Sequence, residues 1–292
     1  MPSSRDLVRR IRSVKGTQQI TKAMKMVAAA KLRRAQETVT EARPYADTMA
    51  RVLGSLASRT EFSHPMLESR EGTRARLVVI SSDKGLCGSF NANLLREADR
   101  VIRSDRWESL DLVTIGRKAS DHYRRRDDLT VVHDERDTMS KLTAADGPRL
   151  GEMFTEAFTS GAVDEVWMIY NKFASLIRQE ITLEQLLPIE PDTLETEADA
   201  ATEGPPVDYL YEPDPEGLLS ALLPRHVQAQ VQRCLYDSAA AEQAARMTSM
   251  DAATKNAGEM IDSLTLLYNR TRQAGITMEL LEIVAGAQAL AE

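Results

Sequence analysis

The sequence predicts a mixed α+β fold: two long terminal helices pair as an antiparallel coiled coil, and a small Rossmann-like α/β domain is inserted between them. Three observations lead to this prediction. Apolar and small residues repeat about every 3.5 positions near both ends of the 292-residue chain. Short β-branched runs alternate with helical stretches in the middle. Aromatic residues make up only 5% of the chain, which disfavours one large globular core.

The first coiled-coil helix is predicted over residues 1–58. Its repeating seam is rich in alanine, so a partner helix can approach closely. The seam becomes polar at Gln18, Thr21 and Lys25. Pro44 is expected to kink or divide this helix, because proline removes an intrahelical hydrogen bond.

The second coiled-coil helix is predicted over residues 224–292, with Pro224 as its helix-start residue. At 1.5 Å per residue it would be about 100 Å long, so it cannot be the edge of a compact domain. If Leu56 and the region near Gln228 both meet the α/β domain, antiparallel pairing makes facing residue numbers sum to about 284. Ala28 should then lie near Asn256 and Ala257, and residues 279–292 should form a single unpaired helix.

The α/β domain is predicted over residues 75–187. Strands separated by helices favour a mainly parallel sheet with right-handed crossovers. The predicted strands are Arg76–Ser81, Leu110–Ile115, Leu129–His133, Glu165–Tyr170 and Ile177–Leu183. The predicted helices are Asn91–Arg103, Arg117–Arg126 and Gly147–Thr159.

Charge is distributed very unevenly, although the net charge is only -7. Residues 1–36 contain ten Lys or Arg and one acid, whereas residues 190–216 contain ten acids and no Lys or Arg. The stretch 188–217 is therefore predicted to be an acidic linker or foot segment. The basic end predicts a strongly acidic partner surface, which could be protein, lipid or nucleic acid.

Several classes of protein are disfavoured by composition. No stretch is long and apolar enough to cross a bilayer, and the start of the chain does not resemble a signal peptide. Cys87 and Cys234 lie far apart, which argues against a disulfide scaffold or a thiolate zinc site. The four histidines have no metal-ligand spacing, so neither a metal nor a cofactor is predicted.

One loop could carry chemistry. The stretch 81–91, SSDKGLCGSFN, links a predicted strand to a predicted helix, which is how phosphate-binding loops are built. Its spacing matches neither the P-loop nor the dinucleotide fingerprint, and Lys84 precedes the glycines. Cys87 has no histidine signature beside it. We therefore interpret the loop as a structural corner with no catalytic residue.

Two other functions remain open at this point. A coiled-coil nucleic-acid-binding protein could use the basic N-terminal face, and its affinity would fall steeply with salt. A small α/β enzyme could hold a phosphate ligand at residues 84–89, and it would bind nucleotide in isolation. The bulky aromatic side chains that a membrane-surface helix needs are missing from the basic face.

Five blocks of sequence resemble the gamma subunit of F-type, proton-translocating ATP synthases of the bacterial type. They occur in the order expected for that family and span the whole chain. The blocks are ITKAMKMVAAAK at 20–31, SDKGLCG at 82–88, YLYEPDP at 209–215, RM to KNAGEM at 246–260 and YNR to EL at 268–280.

The resemblance implies a non-catalytic rotor shaft. Its partners would be three alpha and three beta subunits, the epsilon subunit and the c-subunit ring, with no nucleic acid and only indirect membrane contact. Rotation driven by protons would force the catalytic sites on beta through successive conformations. The residues implied at the rotor–stator interface are Arg9, Arg10, Arg12, Lys15, Lys22, Met24, Lys25, Arg246, Gln273, Thr277 and Glu282. The residues implied at the c ring are Tyr209 and Glu212.

The resemblance also carries an expectation about location and regulation. Chloroplast relatives have an inserted segment with a regulatory cysteine pair, and this chain has neither. We therefore expect no redox switching. The absence of a recognisable transit peptide favours a peripheral position at the cytoplasmic face of a bacterial inner membrane.

Overall fold

The computed structural model describes residues 3–57, 64–70, 72–104, 106–190 and 215–289. The elements, in chain order, are α1 (Ser4–Ala57), β1 (Arg74–Ile80), α2 (Phe90–Ile102), β2 (Ser109–Ile115), α3 (Arg117–Tyr123), β3 (Thr130–Glu135), α4 (Asp146–Thr159), β4 (Glu165–Phe173), β5 (Gln179–Leu187) and α5 (Pro215–Ala289). In the order of the chain, one long helix precedes the five strands and another follows them. The predicted fold class is confirmed.

The sheet has the strand order β3-β2-β1-β4-β5. Strands β1 to β4 are parallel, and β5 returns antiparallel to β4 as the second strand of a hairpin. Central strand β1 is buried on both faces because its side chains alternate between two apolar layers. Val78 and Ile80 face one layer, while Leu77 and Val79 face the other. Such a strand is read as a continuous apolar run, as the sequence predicted.

The chain divides into two compact units. The sheet unit comprises residues 29–246, and the paired-helix unit comprises residues 1–28 and 247–292. Both long helices contribute residues to each unit. The domain boundaries predicted from the sequence were drawn at the ends of helices and strands, not between these two compact units, and they stay predictions.

Within the sheet unit, the first part of α5 packs on the larger apolar layer. Leu219, Leu223, Val227 and Val231 recur every four residues and are all buried in that layer. The predicted helix start at Pro224 is wrong, because α5 begins at Pro215. Tertiary burial of the leucines before Pro224 outweighs the local preference of proline for a helix start.

A second proline also lies inside a helix. Pro44 falls within α1, so it does not divide the N-terminal helix. Proline in a helix interior loses one hydrogen bond and crowds the preceding turn, yet a helix kept in place by other contacts tolerates it.

Helix α4 approaches α5 closely at two glycines. A Cβ atom on Gly151 would lie 2.8 Å from the Cα of Gln228, and one on Gly147 would lie 2.4 Å from the Cβ of Gln232. The space also allows a hydrogen bond of 2.7 Å from the backbone N–H of Gly147 to the Gln232 side chain. Glycine is therefore required at both positions, because a larger side chain would prevent the backbones of α4 and α5 from lying this close together.

The paired-helix unit shows antiparallel pairing with a defined register. Lys25 Nζ lies 2.6 Å from Asp251 Oδ1, and the hydroxyls of Thr21 and Thr254 lie 2.8 Å apart. These pairs sum to 276 and 275, so the predicted sum of about 284 is wrong, as is the placement of Ala28 near Asn256 and Ala257. The prediction assumed that Leu56 and the region near Gln228 lie level with each other. A seam that repeats every seven residues does not distinguish pairings shifted by about one heptad, so the polar contacts decide the register.

The polar seam positions contribute to this pairing. Gln18 donates a hydrogen bond of 3.5 Å to the Thr254 carbonyl. The side-chain nitrogen of Gln18 would also lie 3.2 Å from a Cβ atom added to Gly258. Hydrogen bonds between facing polar residues have fixed geometry, whereas alanine contacts tolerate sliding. The polar positions therefore define the register.

We predict that Gly151→Ala destabilises the chain by about 1–3 kcal/mol, the usual range for overpacking a tight contact. The new methyl group would meet the α5 backbone, which cannot move as a flexible side chain can. Chemical denaturation of the purified chain would measure the loss. Gly275→Ala is the matched control, since nothing lies within 4 Å of its added Cβ. It should be neutral or slightly stabilising, and equal losses in both variants would contradict the proposed close approach.

The observed register predicts which engineered cysteines crosslink. Cysteines replacing Thr21 and Thr254 should form a disulfide efficiently, because the native hydroxyls are already 2.8 Å apart. Cysteines replacing Ala28 and Ala257 should not, since the register separates them by about 15 Å along the axis at about 1.5 Å per residue. Mobility shift on non-reducing gels would distinguish the two results, and crosslinking of only the second pair would restore the register summing to about 284.

Candidate functional site

The sheet topology defines one place where a ligand would be expected. In open α/β sheets, ligands bind beyond the carboxyl ends of the strands where the strand order reverses. Here the order reverses between β1 and β4. The loop 81–89 follows β1 at this point, so the loop singled out from the sequence lies at the crevice.

Apolar side chains of the chain itself fill this crevice. Cys87 and Phe90 form a buried cluster with Ala241 and Ala245 of α5, and Phe173 at the end of β4 packs against it. The small alanines allow α5 to lie close to the loop. The space that a nucleotide base would need is therefore occupied by a helix.

The loop also presents the wrong polarity for a phosphate. Arg246 of α5 donates hydrogen bonds to the carbonyls of Lys84 and Gly85, at 3.3 and 3.2 Å. The same guanidinium forms a buried ion pair of 2.5 Å with Glu242. A phosphate-binding loop points N–H groups inward, whereas this loop points carbonyls at a cation.

The nearby N–H groups are occupied by Asp83. Its buried carboxylate accepts hydrogen bonds from the backbone N–H groups of Arg117 and Asp137 at 3.0 Å and Ser140 at 2.6 Å. Arg117 begins α3 directly after β2, and Asp137 and Ser140 lie in the loop after β3. An internal carboxylate thus takes the position that an anionic ligand would need, and it ties together the segments that follow β1, β2 and β3.

Other polar side chains of the loop also have hydrogen-bond partners. Asn91 donates to the Ser82 hydroxyl at 2.8 Å and to Cys87 Sγ at 3.2 Å. Leu86 and Gly88 adopt positive φ angles of 64° and 59°. Glycine adopts such angles freely, whereas a non-glycine residue such as Leu86 does so uncommonly. The geometry is that of a structural corner.

Cys87 has the properties of a packed, unreactive thiol. Its exposure is 2%. Burial raises the pKa of the thiol, while the nearby Arg246 lowers it less than burial raises it. A thiolate is the reactive form, so this environment disfavours nucleophilic chemistry.

A shallow polar cleft lies after β3 and is lined mostly by charged side chains. Burial of Glu135 would raise its pKa, but hydrogen bonds from Arg149, His133 and Thr138 lower it overall to about 2. Arg149 in turn pairs with Asp146. No group of three or more metal-ligating side chains occurs among the residues that the structure describes.

The residues proposed for the rotor–stator interface lie in different environments. Arg9, Arg10, Arg12, Lys15 and Lys22 are exposed along α1. On α5, Gln273, Thr277 and Glu282 are exposed, and the Thr277 hydroxyl donates to the Gln273 carbonyl at 3.0 Å. Two side chains are already engaged: Lys25 pairs with Asp251, and Arg246 is buried at the loop. Met24 is half-buried, and Tyr209 and Glu212 lie outside the described residues.

Sequence reasoning missed three structural roles. Asp83 gave no signal, because its three donors are distant in sequence. Gly147 and Gly151 carry the small-xxx-small spacing that marks close helix packing in other contexts. Glu242 and Arg246 are four residues apart, which is the spacing of a helical ion pair.

The end of α5 is exposed on all sides. Every residue from 272 to 287 is exposed, so the unpaired helix is longer than predicted. The large apolar residues in it are Ile276, Met278, Leu280, Leu281, Ile283 and Val284. None of the described helices is long and apolar enough to cross a membrane. A contiguous apolar surface of this kind marks a contact site.

These features define a class: a paired-helix protein carrying an inserted α/β sheet whose ligand crevice is closed by its own helix. A family model described as ATP synthase matches residues 3–290. A protein named ATP synthase gamma chain from Anaeromyxobacter sp. (strain Fw109-5) is 49% identical, covering 99% of this chain and 100% of its own. One of the same name from Geobacter sp. (strain M21) is 48% identical, covering 99% of each chain. The chain therefore belongs to the ATP synthase gamma chain family.

Solved structures share the fold. A chain in the central stalk and c-ring structure of Tetrahymena thermophila mitochondrial ATP synthase is 25% identical with a TM-score of 0.60, covering 80% of this chain and 99% of its own. A chain in the OSCP/F1/c-ring structure of Euglena gracilis mitochondrial ATP synthase has a TM-score of 0.70 at 21% identity, covering 98% and 94%. The latter supports the fold alone.

We predict that Arg246→Met opens the corner and makes Cys87 react faster with a maleimide, by about tenfold if about 1.4 kcal/mol of local stability is lost. Losing Arg246 also removes the charge that lowers the thiol pKa, which by itself would slow the reaction. Faster labelling therefore reports opening. Arg270→Met, at an exposed position of the same helix, is the control and should leave the rate unchanged. An unchanged rate in Arg246→Met would show that the corner holds without this contact.

Proposed function

We propose that this chain is the non-catalytic central shaft of an F-type ATP synthase. The observation that carries the proposal is the apolar end of α5, exposed from residue 272 to 287. A single helix of this length is marginal in water, so it needs a surrounding apolar sleeve. A ring of three alpha and three beta subunits, the partners implied by family membership, would supply that sleeve.

The closed crevice supports a non-catalytic role. Phosphoryl transfer needs groups that position magnesium, phosphate and a nucleophile. At the switch point of this sheet, the helix, Arg246 and Asp83 occupy the positions that a nucleotide would use. Catalysis would then take place on the partner beta subunits, and this chain would act by its rotation.

The basic side of α1 supports a rotating contact. Arg9, Arg10, Arg12, Lys15 and Lys22 carry exposed charges that long-range attraction can bring to acidic loops of successive subunits. Gln273, Thr277 and Glu282 would lie at the same interface near the end of α5. Exposed side chains on a rigid helix can exchange partners as the shaft turns.

The sheet unit would connect this shaft to the membrane sector. Tyr209 and Glu212 would contact the c ring, and the epsilon subunit would lie beside them. The chain would be peripheral, at the cytoplasmic face of a bacterial inner membrane. The nucleic-acid alternative has no support in the fold or in the relatives, because the basic residues are explained by a protein partner.

The test is reconstitution with alpha and beta subunits. The purified chain alone should hydrolyse no ATP and bind no nucleotide. Added to alpha and beta, it should assemble a complex that hydrolyses ATP and rotates. Failure to co-purify with alpha and beta, or ATP hydrolysis by the chain alone, would overturn the proposal.

We predict that Ile283→Ser weakens assembly by about tenfold or more, because fully burying such a side chain contributes about 1.5–3 kcal/mol. Ile283 is 68% exposed, so the substitution should leave the unfolding of the isolated chain unchanged. Ile177→Ser is the matched control, since Ile177 is 87% exposed on the sheet unit. A titration of alpha and beta with each variant would measure the effect. Equal weakening by both would argue against a sleeve around the end of α5.

A further inference from the structure

The sheet unit contacts α5 through two kinds of interaction with different mechanical properties. The apolar layer beneath Val227 and Val231 adheres strongly, but apolar contact has no direction and permits small rotations. Hydrogen-bonded charge pairs have a fixed length and angle. A shaft that transmits torque therefore needs polar contacts to set the angle of the helix on the sheet.

One such contact joins the hairpin to α5. Glu184 on β5 lies opposite Met168 on β4, so its side chain faces the same layer as Met168 and Tyr170. Its Oε1 atom accepts a hydrogen bond from Arg233 Nη2 of α5. Its Oε2 atom accepts a hydrogen bond of 2.8 Å from the Tyr170 hydroxyl. Each carboxylate oxygen thus has one partner, and the acid is fixed from both sides.

The partners of Glu184 are themselves restrained. Tyr170 is fully buried in the apolar layer. Arg233 Nε donates a further hydrogen bond of 2.6 Å to Gln230, one turn earlier on α5. Asp237, one turn later, lies within electrostatic reach of the same guanidinium, and burial raises the pKa of its carboxyl. Arg233 is therefore held along the helix as well as across to the sheet.

We propose that Glu184 and Tyr170 form an angular pin with Arg233, which fixes the rotational setting of α5 on the sheet. The three are positioning residues, and their role rests on the proposed function as a shaft. With the pin intact, torque applied to the sheet passes directly into α5. Without it, part of the applied rotation is absorbed by slippage on the apolar layer before the helix turns.

The test measures torsional stiffness in the assembled complex. The stator is immobilised, and a probe is attached through Ile177→Cys at the exposed hairpin tip. The natural Cys87 and Cys234 are buried and should not compete for the label. The angular variance of the probe in a paused state is inversely proportional to the stiffness between probe and stator.

Glu184→Gln should increase this variance by about twofold, because a charge-assisted hydrogen bond is roughly twice as strong as a neutral one. Unloaded ATP hydrolysis should stay within about twofold of wild type, since the catalytic sites are untouched. Glu180→Gln is the matched control: it makes the same change on the same strand, in an exposed pair with Arg178. It should leave the variance unchanged.

Non-additivity provides a second measurement. If the pin acts as a unit, Arg233→Gln combined with Glu184→Gln should widen the fluctuations no more than either change alone. Tyr170→Phe removes only the hydroxyl and should give a smaller increase. If the Glu184→Gln complex fails to assemble, Tyr170→Phe still tests the pin. An unchanged angular variance in Tyr170→Phe would then contradict it.

The outcomes separate the pin from the shaft. A wild-type complex that assembles but does not rotate would contradict the proposed function. A rotating wild-type complex in which Glu184→Gln behaves like Glu180→Gln would contradict only the pin.

Discussion

One continuous helix must satisfy three environments, and the rest of the structure follows from this constraint. Helix α5 is buried against the sheet from Leu219 to Val231. It pairs with α1 through Asp251 and Thr254, and it is exposed from residue 272 to 287. Each stretch carries the side chains that its surroundings require. Backbone hydrogen bonding is satisfied within a helix, so the element can pass from a core to an exposed position without orphaned groups.

The passage of α5 across the sheet also explains why a familiar ligand-binding architecture is closed. The strand order reverses beside β1, where α/β sheets usually bind nucleotides. Alanines at 241 and 245 allow the helix to enter this space, while Asp83 saturates the backbone donors of neighbouring loops. A fold that commonly binds nucleotides at this position here binds its own helix. Fold alone is a poor guide to function for this reason.

Polar contacts in this molecule define geometry, whereas apolar contacts supply most of the adhesion. In the paired helices, small apolar residues permit close approach, and the Lys25–Asp251 and Thr21–Thr254 pairs set the register. On the sheet, the apolar layer holds α5, and hydrogen bonds orient it. Glu184 of β5 accepts a hydrogen bond from α5, and Arg246 of α5 donates hydrogen bonds to the loop after β1. The half-exposed Lys25–Asp251 pair contributes little stability, so its value here lies in orientation.

The sequence by itself determined the elements and the family. Helical and strand periods predicted all five strands and both long helices, because each pattern reports one face of burial. The five family blocks identified the chain, and the spacing of the loop 81–91 excluded known phosphate motifs. Tertiary structure alone decided the start of α5, the register of the pair and the partners of Asp83. Local proline chemistry favoured Pro224, but burial of Leu219 and Leu223 overrode it. The register is decided by the facing pairs Lys25–Asp251 and Thr21–Thr254, which the repeat of either helix alone does not reveal. Asp83 finds its donors only once β1, β2 and β3 lie side by side, since contacts between residues distant in sequence leave no local pattern.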